Sequence, residues 1–245
     1  MEKASTTMGI KIQQTSQQSI LNLRELGGMT TLEGKRIRHQ RIYRSGNPHR
    51  SRTMKDPFEL LEIQLVIDLR SIEERQLAKF VQQGSHKYLH IALDFESMSL
   101  NRKLTSLLSG GVQSVYDTET ILNYMKLAAG SFDWLSLIFK QLSNPQSYPL
   151  LIHCEHGKDR TGFVIALLLK LLNVSDEDIV EEYLRSKLPQ TIYSRVFRHD
   201  RHKSKYLSLA MSQIEREYRS WPAFFEFGLS LQKDEQEQIK SLILE

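Results

Sequence analysis

The chain has 245 residues, with 33 Lys and Arg against 29 Asp and Glu, a formal net charge of +4. Its 40% hydrophobic and 25% charged composition, with 6 Pro and 12 Gly, is that of a globular domain and excludes a collagen-like or low-complexity chain. The one cysteine, Cys154, excludes an internal disulfide framework and a multi-cysteine zinc or iron–sulfur site.

Residues 1–20 are rich in Ser, Thr and Gln, contain no apolar h-region, and read as a flexible lead-in. Arg41–Arg44 is a short strand candidate before the turn cluster Ser45-Gly46-Asn47-Pro48. Asp56 followed by Pro57 predicts a short helix over 56–61. The β-rich run Leu65–Leu69 and the segment Tyr88–Leu93 are further strands. Apolar residues at helical spacing predict an amphipathic helix across 118–142, with Gly130 as a kink. A buried strand over 148–154 leads through a Gly-containing turn into an apolar helix over 160–172. Ser175-Asp176-Glu177-Asp178 has a capping-box pattern and opens a helix running to about Leu188, where Pro189 stops it. The remainder, 204–245, reads as two or three helices broken at Trp221-Pro222. Strands alternating with helices predict one α/β domain over 21–245: a central, mainly parallel sheet flanked by helices, with a helical C-terminal part. The longest apolar stretch, Phe163–Leu172, is about half of what a bilayer requires. A lone Cys and no leader point to a cytoplasmic location, with signal-independent export left open.

The chemistry is concentrated in His153-Cys154-Glu155-His156-Gly157-Lys158-Asp159-Arg160-Thr161-Gly162, between the buried strand and the apolar helix. Five residues separate Cys154 from Arg160. A loop of that length can turn its backbone N–H groups around one tetrahedral anion. Gly157 permits the positive φ or close approach that such a cradle needs, and the helix directs its positive dipole end at the same point. Arg160 adds a planar fork of donors suited to two phosphoryl oxygens. Cys154, at the base of this positive field, is expected to be ionised near neutral pH and to act as nucleophile, forming a cysteinyl-phosphate. Thr161 is expected to hydrogen-bond the sulfur, and His153 to brace the loop from behind. Glu155, His156, Gly157 and Lys158 complete the phosphate-binding loop. Lys158 has two readings, a contact to a second phosphate or a solvent-facing charge. His153, Cys154 and His156 are too close in sequence to converge as a metal site, so neither metal nor cofactor is expected.

The loop resembles the Cys-x5-Arg signature of the protein-tyrosine phosphatase superfamily. Its Gly-Lys-Asp-Arg-Thr-Gly form is similar to that of bacterial and fungal tyrosine phosphatases that also accept phosphoinositides. Asn22-Leu23-Arg24-Glu25-Leu26-Gly27-Gly28, Arg41–Gly46, Val66–Ser71 with Glu74, and the Glu217–Ser220 region extend the resemblance over about 20–245. One departure is His156, where that subgroup carries a small residue. The resemblance implies a single phosphatase domain and a phosphomonoesterase acting on phosphotyrosine, phosphoinositides or soluble inositol phosphates. A phosphate-binding module without turnover and a sulfur-transfer enzyme are the rival readings. The general acid that protonates the leaving oxygen is, by resemblance, Asp159; Asp94 and Asp117 are the alternatives, and Asp133 reads as a solvated helix residue. Arg24, Arg44, Asp68 and Arg70 are expected to buttress the core or the phosphate loop rather than touch substrate, the strand Asp and Arg pairing among themselves.

The charge is uneven. Residues 35–55 carry eight Lys and Arg and no acid, 195–205 carry five against Asp200, and 173–182 carry five acids and no base. The basic segments would steer anionic substrates or give peripheral contact with an anionic membrane. Nucleic acid is not an expected partner.

Overall fold

The computed structural model describes residues 20–48, 57–77, 86–93, 132–187 and 203–245. Five strands form one sheet: β1 (Arg24–Glu25), β2 (Ile42–Ser45), β3 (Leu65–Asp68), β4 (Lys87–His90) and β5 (Leu150–His153). Their order is β1-β2-β5-β3-β4, and only the β1–β2 pairing is antiparallel. The expected mainly parallel α/β sheet is therefore observed.

Side chains alternate across the sheet with the period of two that a pleated strand imposes. Ile42, Leu65, Ile67, Leu150 and Ile152 enter the large core. Tyr43, Val66 and Leu151 point to the other face, where Ile20, Leu23, Phe58, Leu61 and Ile63 cover them. Phe58 belongs to α1 (Pro57–Leu60); α2 (Ile72–Leu77) follows β3.

The helices of the larger core are α3 (Asp133–Leu142), α4 (Asp159–Leu171), α5 (Asp176–Leu184), α6 (Lys203–Tyr218), the short α7 (Trp221–Ala223) and α8 (Lys233–Ile243). Eleven of the thirteen residues of α4 are buried, so it is covered on all sides and its N-terminus is rigidly placed. Leu135, Ile138, Phe139 and Leu142 of α3, with Leu207, Met211 and Ile214 of α6, pack into the same core. Phe224 and Phe225, in one π-helical turn after α7, complete it. Asp133 is exposed at the first position of α3, as expected. The stretch 118–131, with Gly130, lies outside the described residues, as do Asp56, Asp94, Asp117 and Pro189.

The strand expected over 148–154 is β5, Leu150–His153, and the helix expected over 160–172 is α4, Asp159–Leu171; three further details differ from expectation. The strand expected over 88–93 is β4, Lys87–His90, which ends once Ile91 N–H has donated to the Asp68 carbonyl. Helix α5 stops at Leu184 rather than Leu188, because Ser186 and Lys187 are drawn into hydrogen bonds with Arg24 and Asn22. The start of α5 is a simple N-cap and not a capping box. Ser175 Oγ accepts from Asp178 N–H at 3.1 Å and donates back to the Asp178 carboxylate at 2.8 Å. Among the described residues no helix is long and apolar enough to cross a membrane.

Candidate active site

Strands β2, β5 and β3 run parallel with Ser45, His153 and Asp68 in register. Their carboxyl ends therefore open on one edge of the sheet, where open α/β sheets place their ligands. The chain leaving β5 there is Cys154–Lys158, and it runs directly into α4.

Cys154 is buried at the base of the loop. Gly157 N–H donates to Cys154 Sγ at 3.3 Å, so the loop closes back over its own sulfur. Gly157 has φ +67°, and a Cβ there would lie 2.3 Å from Gly46 N and from Ser45 O. Both conditions anticipated for this glycine hold together: left-handed backbone and contact with the end of β2. The first helical hydrogen bond of α4 is Gly162 N–H to the Lys158 carbonyl at 2.7 Å. The N–H groups of Asp159, Arg160 and Thr161 thus precede any intrahelical acceptor, and they face the N-terminal side of α4, where the loop lies.

Arg160 is fixed in a planar fork. Its Nη1 and Nη2 donate to Glu74 Oε2 and Oε1, both at 2.6 Å, and Nη1 also donates to the Leu69 carbonyl at 3.1 Å. Burial works against its charge, but the Glu74 bonds and the neighbouring Cys154 and Asp159 raise its pKa above the ordinary value. Glu74 is likewise opposed by burial and held below the carboxylate range by Arg160. Its own carboxylate accepts Ser71 N–H at 2.8 Å. Glu74 appeared in the sequence only as part of a matched stretch; its role, 86 residues before Arg160, has no local signal.

His153 is fully buried behind the loop. Its Nδ1 lies 3.3 Å from the Cys154 carbonyl and its Nε2 lies 3.8 Å from Asp68 Oδ1. Burial lowers its pKa to about 4, against the pull of Asp68, so near neutral pH it is uncharged and braces the loop without serving as a cation. Asp68 is also buried, which disfavours its charge. The His153 ring and the two-pronged bond from Arg70, with Nη2 to Oδ2 at 2.8 Å, nevertheless hold it below the carboxylate range. Tyr88 hydroxyl donates to the same carboxylate.

The remaining loop residues separate into distinct positions. Glu155 is buried, accepting Asn47 Nδ2 at 3.2 Å through its carboxylate and Asn47 N–H at 3.0 Å through its carbonyl. His156 is half-buried, near Glu74. Lys158 is 1% exposed, which removes the reading of a solvent-facing charge. Asp159 is half-buried at the first position of α4 and accepts the Tyr183 hydroxyl at 3.0 Å. Thr161 Oγ1 is buried and has no hydrogen-bond partner among the described residues, so the expected bond to the sulfur is not formed in this conformation. Asp68 and Arg70 pair as expected, but Arg24 and Arg44 do not join them. Both bind Glu182 of α5: Arg24 Nε donates to Oε1 at 2.8 Å and Arg44 Nη1 donates to Oε2. Two residues of the charge-rich segments thereby prove to be internal structure. Among the described residues no three His, Cys, Asp or Glu side chains group as a metal site.

A sequence profile described as the tyrosine phosphatase family matches residues 15–245. A Cupriavidus necator protein named as a tyrosine-protein phosphatase is 30% identical over 187 residues, which is 69% of this chain and 61% of that protein. A triple specificity protein phosphatase of Mycobacterium tuberculosis is 55% identical over 38 residues, 16% of this chain and 14% of its own length. An inositol diphosphatase of Saccharomyces cerevisiae is 47% identical over 47 residues, 19% of this chain and 17% of its own. The chain thus spans less than two thirds of these curated relatives.

Proposed function

Because the chain belongs to the tyrosine phosphatase family, we propose that it is a cysteine-dependent phosphomonoesterase acting on phosphotyrosine or phosphoinositide substrates, or both, through a cysteinyl-phosphate. One observation carries this reading: Cys154 Sγ lies beneath the Gly157 N–H, in a loop that continues into the N-terminus of α4 and the Glu74-anchored Arg160 fork. A phosphoryl group held by the loop N–H groups, beside the Arg160 charge that Glu74 fixes in place, has its phosphorus in front of the sulfur.

The Cys154 thiolate attacks phosphorus as the bond to the ester oxygen breaks, and the carboxyl proton of Asp159 passes to that oxygen. Charge on the equatorial oxygens is met by Arg160 and the loop N–H groups, which are already oriented. Water then attacks the cysteinyl-phosphate. The P–S bond breaks, the electron pair returns to sulfur, and the Asp159 carboxylate takes the water proton. In this reading Thr161, immediately after Arg160, donates its hydroxyl to the departing sulfur once its side chain has rotated. Every step uses groups of the chain and water.

The discriminating experiment is phosphate release from p-nitrophenyl phosphate by wild type and Cys154→Ser, followed by kinetics on a phosphotyrosyl peptide, a phosphoseryl peptide and a phosphoinositide panel. Turnover by wild type alone supports the reading. Binding of phosphate without turnover at any pH would replace it with that of a phosphate-binding module. Lys35 and Arg36 are exposed and remain available for contact with an anionic membrane, whereas Arg44 is not, being sealed beneath the loop.

A further inference from the structure

Three consecutive carbonyls of the phosphate loop are pulled outward by two side chains from the N-terminal part of the chain. Asn22 Nδ2 donates to the His156 carbonyl at 2.7 Å. Arg44 Nη2 donates to the Gly157 carbonyl at 2.8 Å and to the Lys158 carbonyl at 3.4 Å. In a trans peptide the carbonyl and the next N–H point in opposite directions. Drawing the carbonyls of 156, 157 and 158 away from the loop therefore turns the N–H groups of 157, 158 and 159 toward its interior. The first of these is seen to do so, since Gly157 N–H ends on Cys154 Sγ.

Both outward anchors are themselves held by α5 and the residues after it. Asn22 Nδ2 also donates to the Lys187 carbonyl at 2.8 Å, and Asn22 Oδ1 accepts Lys187 N–H at 2.8 Å. Glu182 binds Arg44 on one oxygen and Arg24 on the other, and Arg24 Nη2 reaches Ser186 Oγ at 2.7 Å. Asn22 has φ +58°, a conformation Asn tolerates better than other side chains bearing Cβ.

We propose that Asn22 and Arg44 are positioning residues that aim the loop N–H groups at the bound oxyanion and so set its affinity, with Glu182 locking Arg44 in place. The proposal rests on the reading of this loop as a phosphoryl site. Neither residue touches the anion; each acts through a peptide plane.

The test uses tungstate, a tetrahedral oxyanion that is not turned over, titrated calorimetrically into the full chain as wild type, Asn22→Gly and Arg44→Lys. Asn22→Gly keeps the left-handed backbone and introduces no charge, and it removes the pull on the His156 carbonyl. Measured well below every variant's Tm, its Kd for tungstate is expected to rise about tenfold, the loss of one well-aimed interaction. A residue that merely supports the fold would lower Tm and leave Kd unchanged, and that result overturns the proposal. Arg44 is fully buried; should Arg44→Lys not fold, Asn22→Gly decides alone. Wild type that fails to bind tungstate would overturn the phosphatase reading and this proposal together, whereas binding with unchanged affinity in Asn22→Gly overturns this proposal only.

Discussion

The Tyr183 hydroxyl donates to Asp159 Oδ1 at 3.0 Å, joining α5 to the first residue of α4. The Tyr183 ring packs over Gly162, where a Cβ would meet the ring at 2.7 Å, so the two helices approach only because that position is glycine. Tyr183 thereby holds one carboxyl oxygen of the residue proposed to act as the acid. Tyr183→Phe keeps the ring and removes this hold. Hydrolysis of a phosphotyrosyl peptide is expected to slow about threefold to tenfold, with little change for 2,4-dinitrophenyl phosphate, whose leaving group needs no proton. Asp159→Asn is expected to show the same dependence more strongly, by about a hundredfold on the peptide. Equal losses in kcat/KM, which reports formation of the cysteinyl-phosphate alone, on both substrates would remove Asp159 as the acid and return the role to Asp94 or Asp117.

Glu74 presents two oxygens to the Arg160 fork, each at 2.6 Å. Glu74→Gln keeps the shape and offers only one acceptor, so the guanidinium loses its planar lock. The expected result is a fall in kcat/KM of about tenfold, with folding intact by circular dichroism. Arg160→Lys, which cannot present a fork at all, is expected to be more severe. Unchanged kinetics for Glu74→Gln would show that Arg160 is oriented by the Leu69 carbonyl and the loop alone.

Gly157→Ala combines left-handed backbone with a Cβ placed 2.3 Å from the end of β2. Neither the backbone of Gly46 nor that of Ser45 can yield without shifting β2 from its partner β5. A loss of at least about 2 kcal/mol in urea unfolding is expected, together with loss of phosphatase activity. Wild-type stability would mean that the loop has a second stable conformation.

His153 gives a defined pH dependence of stability. Its pKa is lowered by burial to about 4 in the folded chain, against about 6.5 for an unperturbed histidine. Below pH about 6.5 the unfolded chain takes up a proton that the folded chain refuses, so stability falls as the pH drops from about 6.5 to about 4. The contribution reaches roughly 3 kcal/mol across that window. Asp68 acts at lower pH: its depressed folded pKa gives stability present above its unfolded value and lost only below that. Urea midpoints for wild type and His153→Asn between pH 7 and pH 4.5 check this; parallel curves would contradict it.

The sequence by itself determined the candidate nucleophile, the arginine, the glycine between them and the alternation of strand and helix. These are local properties: Cys154 and Arg160 lie on one turn, Gly157 is required by the backbone at that turn, and continuous apolar runs mark β3, β5 and α4. The same local evidence placed His153 behind the loop, but it began the helix at Arg160 and left Asp159 in the loop, whereas Asp159 is the first residue of α4. That evidence could not show that Lys158 is buried, because a lysine between a glycine and an aspartate looks the same in a loop packed beneath β2 as in one facing water. Nor could it pair Glu74 with Arg160, Glu182 with Arg24 and Arg44, or Asn22 with the His156 carbonyl, which are separated by 86, 158, 138 and 134 residues. Such contacts depend on how the parallel sheet brings β2, β3 and β5 side by side and where α5 docks across α4, information that is spread over the whole chain. The net charge shows the same division: its sum is written in the composition, but only the folded chain decides that Arg44 and Glu182 are spent on each other beneath the loop, while Lys35 and Arg36 stay in solvent.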